Sequence, residues 1–167
     1  MKLALQRLSG ALQTWPDRRG WIAAACNLLW ALPLIAVFGW IGGFVRFDPR
    51  PFDGSNIRLA ATLLLVPALG EELLFRGLLV PRPERPFPAW QGLLAVGAFV
   101  AWHPLQTVTW GPPWSALFLE PWFLAAVAVL GVALVRIYRA TGSIWPCVAA
   151  HWLLVGAWKL LFGGPFG

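Results

Sequence analysis

The feature that most constrains this chain is an apolar segment, residues 59–80, that contains three ionisable side chains. The segment is long enough for a helix to cross a bilayer, which takes about 20 residues. Its ionisable residues are Glu71, Glu72 and Arg76. A charge at the centre of a membrane helix costs roughly 3 kcal/mol even on the lenient insertion scale. These three residues therefore indicate either a function or a specific ion pair.

Helical spacing separates the two glutamates. Glu72 and Arg76 are four residues apart and share a helix face, so one carboxylate can be neutralised within the helix. Glu71 points about 100° away from Glu72 and has no obvious partner. Two interpretations stay open at this point. The charges form a structural ion pair that orients helix packing, or Glu71 belongs to an intramembrane active site.

The composition places the chain among membrane proteins. It has 167 residues, of which 59% are hydrophobic and 12% charged, with 12 Trp and a mean hydropathy of +0.67. These values are far from those of a soluble domain. The net charge of +6 comes from Lys and Arg at the ends of apolar runs, a pattern typical of membrane orientation rather than nucleic-acid binding. Cys26 and Cys147 lie in apolar segments, where cysteine is usually a small buried hydrophobe.

The hydrophobic pattern predicts an all-α fold, a polytopic transmembrane helical bundle of about five spans. Residues 1–20 predict a basic amphipathic helix lying on the membrane surface, and residues 21–167 a single transmembrane domain. The predicted spans are Trp21–Val45, Leu59–Val80, Trp90–Trp110, a fourth from Ser115 or Trp122 to Val135, and Ile144–Phe162.

The basic residues predict the orientation. With a cytoplasmic N-terminus, the inner side collects Lys2, Arg7, Arg18, Arg19, Arg82, Arg85, Arg136 and Arg139. The outer side then holds Arg46, Arg50, Arg58 and Lys159. Because cytoplasmic loops carry the excess of positive charge, we expect a multi-pass protein of a bacterial cytoplasmic membrane with its N-terminus in the cytoplasm.

The two histidines of the chain, His103 and His151, lie on different predicted spans at the depth of Glu71. A single membrane histidine is often a packing residue with a hydrogen-bonded ring. Two histidines at the depth of a buried glutamate favour chemistry instead. Glutamate and histidine together can deprotonate a water molecule, and a second histidine can stabilise an oxyanion.

Three motifs follow one another on successive predicted spans. They are Glu71-Glu72-x-x-x-Arg76, then Phe99-x-x-x-His103, then Thr141-Gly142-Ser143-Ile144-Trp145 followed by His151. This arrangement resembles the CAAX-protease and bacteriocin-processing family of intramembrane endopeptidases, which includes the type II CAAX prenyl endopeptidases. The resemblance extends over a catalytic core of about residues 59–161.

The resemblance implies a helical membrane fold in which glutamate and histidines line a cavity and hydrolyse a peptide bond with activated water. Carried over by position, Glu71 is the general base and His103 helps it to hold the water. His151 contributes to the oxyanion hole. The supporting residues are Glu72, Arg76 and Phe99.

One position departs from the family pattern. Four residues after the last histidine, where the family usually has Asn or another small polar residue, this chain has Val155. Val155 lies on the same helix face as His151, so one oxyanion donor is missing. Trp158 and Asn27 are the candidates to replace it. The departure keeps open a catalytically silent membrane scaffold or immunity-type protein.

Other chemistries fit less well. The chain has no His-Glu-x-x-His motif, its serines lie near predicted helix ends or loops, and its aspartates lie outside the spans. We therefore expect no cofactor, with zinc held by Glu71, His103 and His151 as the alternative. A small proton-coupled transporter is a third hypothesis, disfavoured by the lack of a visible repeat. The expected partners are a peptide or protein substrate, lipidated or membrane-embedded substrates included, and membrane lipid, but no nucleic acid.

Overall fold

The computed structural model describes residues 2–165, and regular structure in this range is helical apart from one isolated bridge between Asp48 and Phe162. The α-helices are α1 Lys2–Gln13, α2 Arg18–Leu29, α3 Ala31–Ile41, α4 Gly54–Leu63, α5 Ala89–Thr109, α6 Pro121–Thr141 and α7 Trp145–Leu161. Two wider π-helical segments, Leu64–Glu71 and Leu73–Leu78, continue α4, and a 3₁₀ helix spans Pro113–Leu119. The all-α prediction is therefore confirmed.

The first predicted span consists of two helices that meet at Trp30. Pro33 accounts for the break, because it lacks a backbone N–H and its ring crowds the carbonyl of Leu29. Taken together, Arg18–Ile41 provides 24 residues that are apolar and long enough to cross a membrane, as does α6 with 21. The count of five spans stays a prediction.

The glutamate-bearing helix begins at Gly54, five residues before the predicted start. The Asp53 carboxylate caps it by accepting a hydrogen bond of 2.9 Å from the backbone N–H of Asn56. A second hydrogen bond, from the hydroxyl of Ser55, is the main reason that the pKa of Asp53 lies below its usual value. Further along, Pro67 lies inside the π-helical part. Such wider turns are frequent at functional sites.

Helix α6 is the centre of the bundle and contacts α2, α3, α5 and α7. It begins at Pro121, which decides between the two predicted starts, because Ser115 lies in the preceding 3₁₀ helix. The helix extends past the predicted end at Val135 and ends at Thr141. Gly142 follows with φ of 63°, a left-handed conformation that glycine adopts without steric cost.

The N-terminal helix α1 packs against the second π-helical segment. The Arg7 guanidinium donates a hydrogen bond of 2.8 Å to the carbonyl of Leu78. The backbone N–H of Ile144 donates one of 3.1 Å to the carbonyl of Ala11. The helix is thus attached to both the glutamate helix and the start of α7, while its position at a membrane surface stays a prediction.

Helices α5 and α7 carry the two histidines. Helix α5 continues through Pro104 without ending there. The indole N–H of Trp152 on α7 donates a hydrogen bond of 2.8 Å to the carbonyl of Ala60 on α4. This bond fixes α7 beside the glutamate helix, and α6 holds α5 and α7 on the same bundle.

Candidate active site

The side chains of Glu71, His103 and His151 all line one cavity of about 920 Å³. Most of its wall is apolar. The structure therefore brings together the three residues that the sequence singled out on three different helices. Convergent polar groups in a large apolar cavity are the usual form of a small-molecule or peptide site.

Glu71 faces this cavity, and the two oxygens of its carboxylate differ. Oε1 accepts a hydrogen bond of 3.1 Å from the indole N–H of Trp102. Oε2 lies 4.0 Å from Nε2 of His151 and accepts no hydrogen bond from the residues that the structure describes. Sequence reasoning missed Trp102, although its place directly before His103 could have drawn attention to it.

Glu72 is fully buried, and its carboxylate accepts hydrogen bonds from two other buried side chains, those of Arg76 and His151. Its Oε1 accepts hydrogen bonds of 2.9 Å from the Arg76 guanidinium and 2.8 Å from Nδ1 of His151. Exposed fractions are 0% for Glu72 and 1% for Arg76, whereas 12% of the Glu71 side chain is exposed. An ionised carboxylate can only accept, so the hydrogen of His151 is on Nδ1 and Nε2 is the atom that faces Glu71.

The sequence predicted the pair of Glu72 and Arg76 but not the contact with His151. The contact holds the ring of His151 at Nδ1, on the side away from Glu71. A carboxylate placed on the far nitrogen of a histidine is a common way to orient a functional imidazole. Glu72 therefore acts on the site through His151 as well as through Arg76.

Phe99 lies beneath the site and contacts both histidines. Its ring is 5.2 Å from the ring of His103 and 5.8 Å from that of His151, between centroids. The Arg76 guanidinium carbon lies 4.2 Å from its ring centroid. The Phe99 carbonyl also accepts a hydrogen bond of 2.9 Å from Nδ1 of His103. This leaves Nε2 of His103 as an acceptor. Both histidines thus form their hydrogen bond to the protein through Nδ1.

A comparison with protein-family models now decides the family. The model described as "Rce1-like: Type II CAAX prenyl endopeptidase Rce1-like" matches residues 53–156. The chain belongs to this family. The matched range covers more than half of the chain and includes the residues of the site described above. No curated protein and no solved structure matches the chain.

Membership in the Rce1-like family confirms the resemblance that the motifs indicated. It places the chain in a family of membrane proteins whose general activity is CAAX proteolysis. The family match fits the two long apolar helical segments, Arg18–Ile41 and α6. The roles of individual residues in this member remain predictions.

Val155, four residues after His151, lines the same cavity. The two proposed replacement donors are both engaged elsewhere. The Trp158 indole N–H donates a hydrogen bond of 2.8 Å to the carbonyl of Phe44. The Asn27 amide donates one of 2.8 Å to a carbonyl of its own helix. The N–H of Trp158 is therefore already used within the protein, and replacement of the missing amide by either side chain stays a prediction.

The described part of the chain contains no group of three His, Cys, Asp or Glu side chains suited to hold a metal ion. Zinc needs its ligands about 2.0 to 2.2 Å from one ion. Glu71 and His151 are neighbours, while Nδ1 of His103 is bound to the Phe99 carbonyl. A mechanism without metal stays a prediction of the sequence, with its test given below.

Proposed function

We propose that this protein is an intramembrane endopeptidase that hydrolyses a peptide bond with water activated by Glu71. The observation that carries the proposal is the pair formed by Oε2 of Glu71 and Nε2 of His151, 4.0 Å apart at the cavity wall. The pair places a carboxylate that can accept a proton from water next to an imidazole nitrogen that can bind the oxygen of the attacked carbonyl. Family membership supports the endopeptidase activity.

In the first step, the water oxygen attacks the carbonyl carbon of the substrate peptide bond. Glu71 takes one proton of the water through Oε2, as a general base does. Nε2 of His103 accepts a hydrogen bond from the water and fixes its orientation. The carbonyl oxygen becomes an oxyanion, to which His151 donates a hydrogen bond from Nε2 when its ring carries both protons.

In the second step, the tetrahedral intermediate breaks down. The proton held by Glu71 passes to the amide nitrogen as the carbon–nitrogen bond breaks. The products are a new carboxyl group and a free amine, and Glu71 returns to its starting ionised form. The base of the first step thus serves as the acid of the second.

The apolar cavity supports a lipidated peptide as substrate. Its walls include Leu32 and Ile35 of α3 together with Leu59 and Val66 of the glutamate helix. A prenyl chain on the cysteine of a C-terminal C-a-a-X sequence is the modification that the family description names. We propose this substrate class, in a multi-pass protein of about five spans with its N-terminus in a bacterial cytoplasm.

The test is hydrolysis by purified protein in lipid nanodiscs. The probe is a synthetic peptide that ends in an S-farnesylated C-a-a-X sequence, and mass spectrometry detects the products. In water labelled with oxygen-18, we expect one label in the newly formed carboxyl group. Lack of cleavage across farnesylated, geranylgeranylated and unmodified peptides would overturn the proposal.

A catalytically silent scaffold is the second candidate function, and the environment of Val155 favours it. An isopropyl group occupies the place of an amide donor, and Trp158 donates its N–H to Phe44. Loss of one oxyanion donor typically lowers the rate by a factor of roughly 100 to 1,000. The fold would then bind a partner protein without cleaving it.

Replacing Val155 with Asn should raise the rate of cleavage at least tenfold. The new amide lies four residues after His151 on the same helix face, so its N–H points towards the oxyanion. If the new amide restores part of the hydrogen bonding to the oxyanion, the rate should rise by a factor on the order of 10 to 100. The measurement is kcat on the farnesylated peptide.

Val155→Leu is the matched control, because leucine has the shape of asparagine without its polar atoms. If Val155→Asn is no faster than Val155→Leu, the rate of this protein is not limited by a missing donor at that position.

Chelation tests the role of metal. We expect activity to survive exhaustive treatment with a strong chelator, and the purified protein to contain well under one equivalent of zinc. The reason is that Glu71 itself activates the water in the proposed mechanism. Activity that disappears with the chelator and returns with zinc would instead make Glu71, His103 and His151 metal ligands.

A further inference from the structure

The indole N–H of Trp114 is buried in the cavity wall and has no hydrogen-bond partner among the described residues 2–165. Four other tryptophans, in contrast, each donate the indole N–H to an oxygen: Trp102, Trp145, Trp152 and Trp158. Leaving a buried donor unsatisfied costs about 1 to 3 kcal/mol. An unpaired donor in the wall of this cavity would therefore gain from an acceptor that a ligand supplies.

The ring of Trp114 is held in place by described neighbours, none of which accepts its N–H. Nζ of Lys159 lies 4.0 Å from the ring centroid, and the Phe118 ring packs edge-on at 5.5 Å. The 3₁₀ helix that carries Trp114 is attached to α5, because the Thr107 hydroxyl donates a hydrogen bond of 2.6 Å to the carbonyl of Ser115. The ring is thus oriented before any ligand arrives.

The ammonium group also strengthens the donor. A cation over the face of an indole ring attracts its π electrons. This withdrawal leaves the N–H hydrogen more positive, so the Trp114 N–H is a better donor than an isolated indole.

The position of Trp114 relative to the catalytic groups decides what it contacts. Phe118 separates it from His103, with ring centroids 5.2 Å apart for Phe118 and His103. Trp114 is therefore one aromatic ring away from the reacting atoms, too far to contact the oxyanion. An acceptor for its N–H would therefore lie in a part of the substrate away from the scissile bond.

The chemistry of the ligand follows from the donor and the cavity. An indole N–H only donates, so the ligand atom is an acceptor. A peptide that enters this apolar cavity loses water from its backbone carbonyls, and each carbonyl without a donor is penalised. We propose that Trp114 binds a main-chain carbonyl oxygen of the peptide substrate, at a residue next to but not part of the scissile bond. The proposal rests on the proposed function, because it takes the ligand to be a peptide.

Trp114→Phe tests the hydrogen bond because it removes the N–H and keeps a ring beside Lys159 and Phe118. One hydrogen bond to a ligand is worth roughly a factor of three to ten in affinity. We expect KM for the farnesylated C-a-a-X peptide to rise about three- to tenfold with kcat unchanged. The melting temperature should not fall, because the N–H has no partner among residues 2–165.

Trp152→Phe is the matched control. It makes the same chemical change at an indole whose N–H already donates to the Ala60 carbonyl. We expect a lower melting temperature and an unchanged KM. A Trp114→Phe protein that behaves in the same way would show that Trp114 has a structural role only.

A second measurement does not depend on turnover. In the Glu71→Gln protein, the indole ¹⁵N–¹H resonance of Trp114 is assigned by its loss in Trp114→Phe. Addition of the farnesylated peptide should move this resonance downfield in the proton dimension and leave that of Trp152 in place.

The outcomes separate the two proposals. A resonance that does not move on saturation with peptide overturns the role of Trp114 and leaves the peptidase proposal intact. A resonance that moves, in a protein whose wild type cleaves nothing, supports the peptide subsite and favours the silent scaffold over the peptidase.

Discussion

Replacing Glu71 with Gln should abolish peptide cleavage, lowering kcat by at least about 1,000-fold while the protein stays folded. General-base catalysis contributes a factor of roughly 100 to 10,000, and this carboxylate also returns the proton to the leaving amine. Glutamine has nearly the same shape, and its carbonyl oxygen can still accept the hydrogen bond from Trp102. It cannot take a proton from water. The rate of cleavage and the melting temperature are the two measurements.

Glu84→Gln is the control for Glu71→Gln. It makes the same change at an exposed glutamate in the loop between the glutamate helix and α5, where the side chain interacts with Arg82. Activity there should be unchanged. A Glu71→Gln protein that retains full activity would remove Glu71 from the mechanism and leave only a structural role for the carboxylate.

The fold could be predicted from the sequence where local chemistry determines it. Apolar runs bounded by proline and glycine predicted the positions of α5 and α7 to within one residue at each end. The break at Trp30 was missed, because the apolar run predicted one span, Trp21–Val45, and the effect of Pro33 within it was not considered. The π-helical turns were missed as well, because the sequence pattern does not reveal the hydrogen-bond register within a helix.

The candidate site could be predicted only in part. Helical spacing gives the pair of Glu72 and Arg76, because residues four apart share a face in any helix. The bond between His151 and Glu72 joins residues 79 positions apart, and it depends on how α7 is rotated against the glutamate helix. Trp158 shows the same limit, since a spacing of seven residues from His151 placed it near the site while its N–H is bound to Phe44.

Glu72→Gln should destabilise the protein more than any other single change at the site. The Glu72 carboxylate accepts hydrogen bonds from both Arg76 and Nδ1 of His151, and Glu72 and Arg76 are almost completely buried. Removing one member of a buried ion pair typically costs about 3 to 5 kcal/mol, because the remaining charge has no counter-charge. We expect a large fall in melting temperature and in yield. Cleavage should also fall, since the ring of His151 loses its charged support.

The double variant Glu72→Gln with Arg76→Met separates the effect of the unpaired Arg76 charge from that of the hydrogen bond between residue 72 and His151. Methionine fills much of the space of the arginine stem without a charge, and the glutamine oxygen can still accept from Nδ1 of His151. If the unpaired guanidinium causes the instability, the double variant should regain most of the melting temperature that Glu72→Gln loses. If the single and the double variant have the same melting temperature, the instability of Glu72→Gln comes from its weakened contact with His151. In that case, Glu72 matters chiefly because it joins α7 to the glutamate helix and holds Nε2 of His151 towards Glu71.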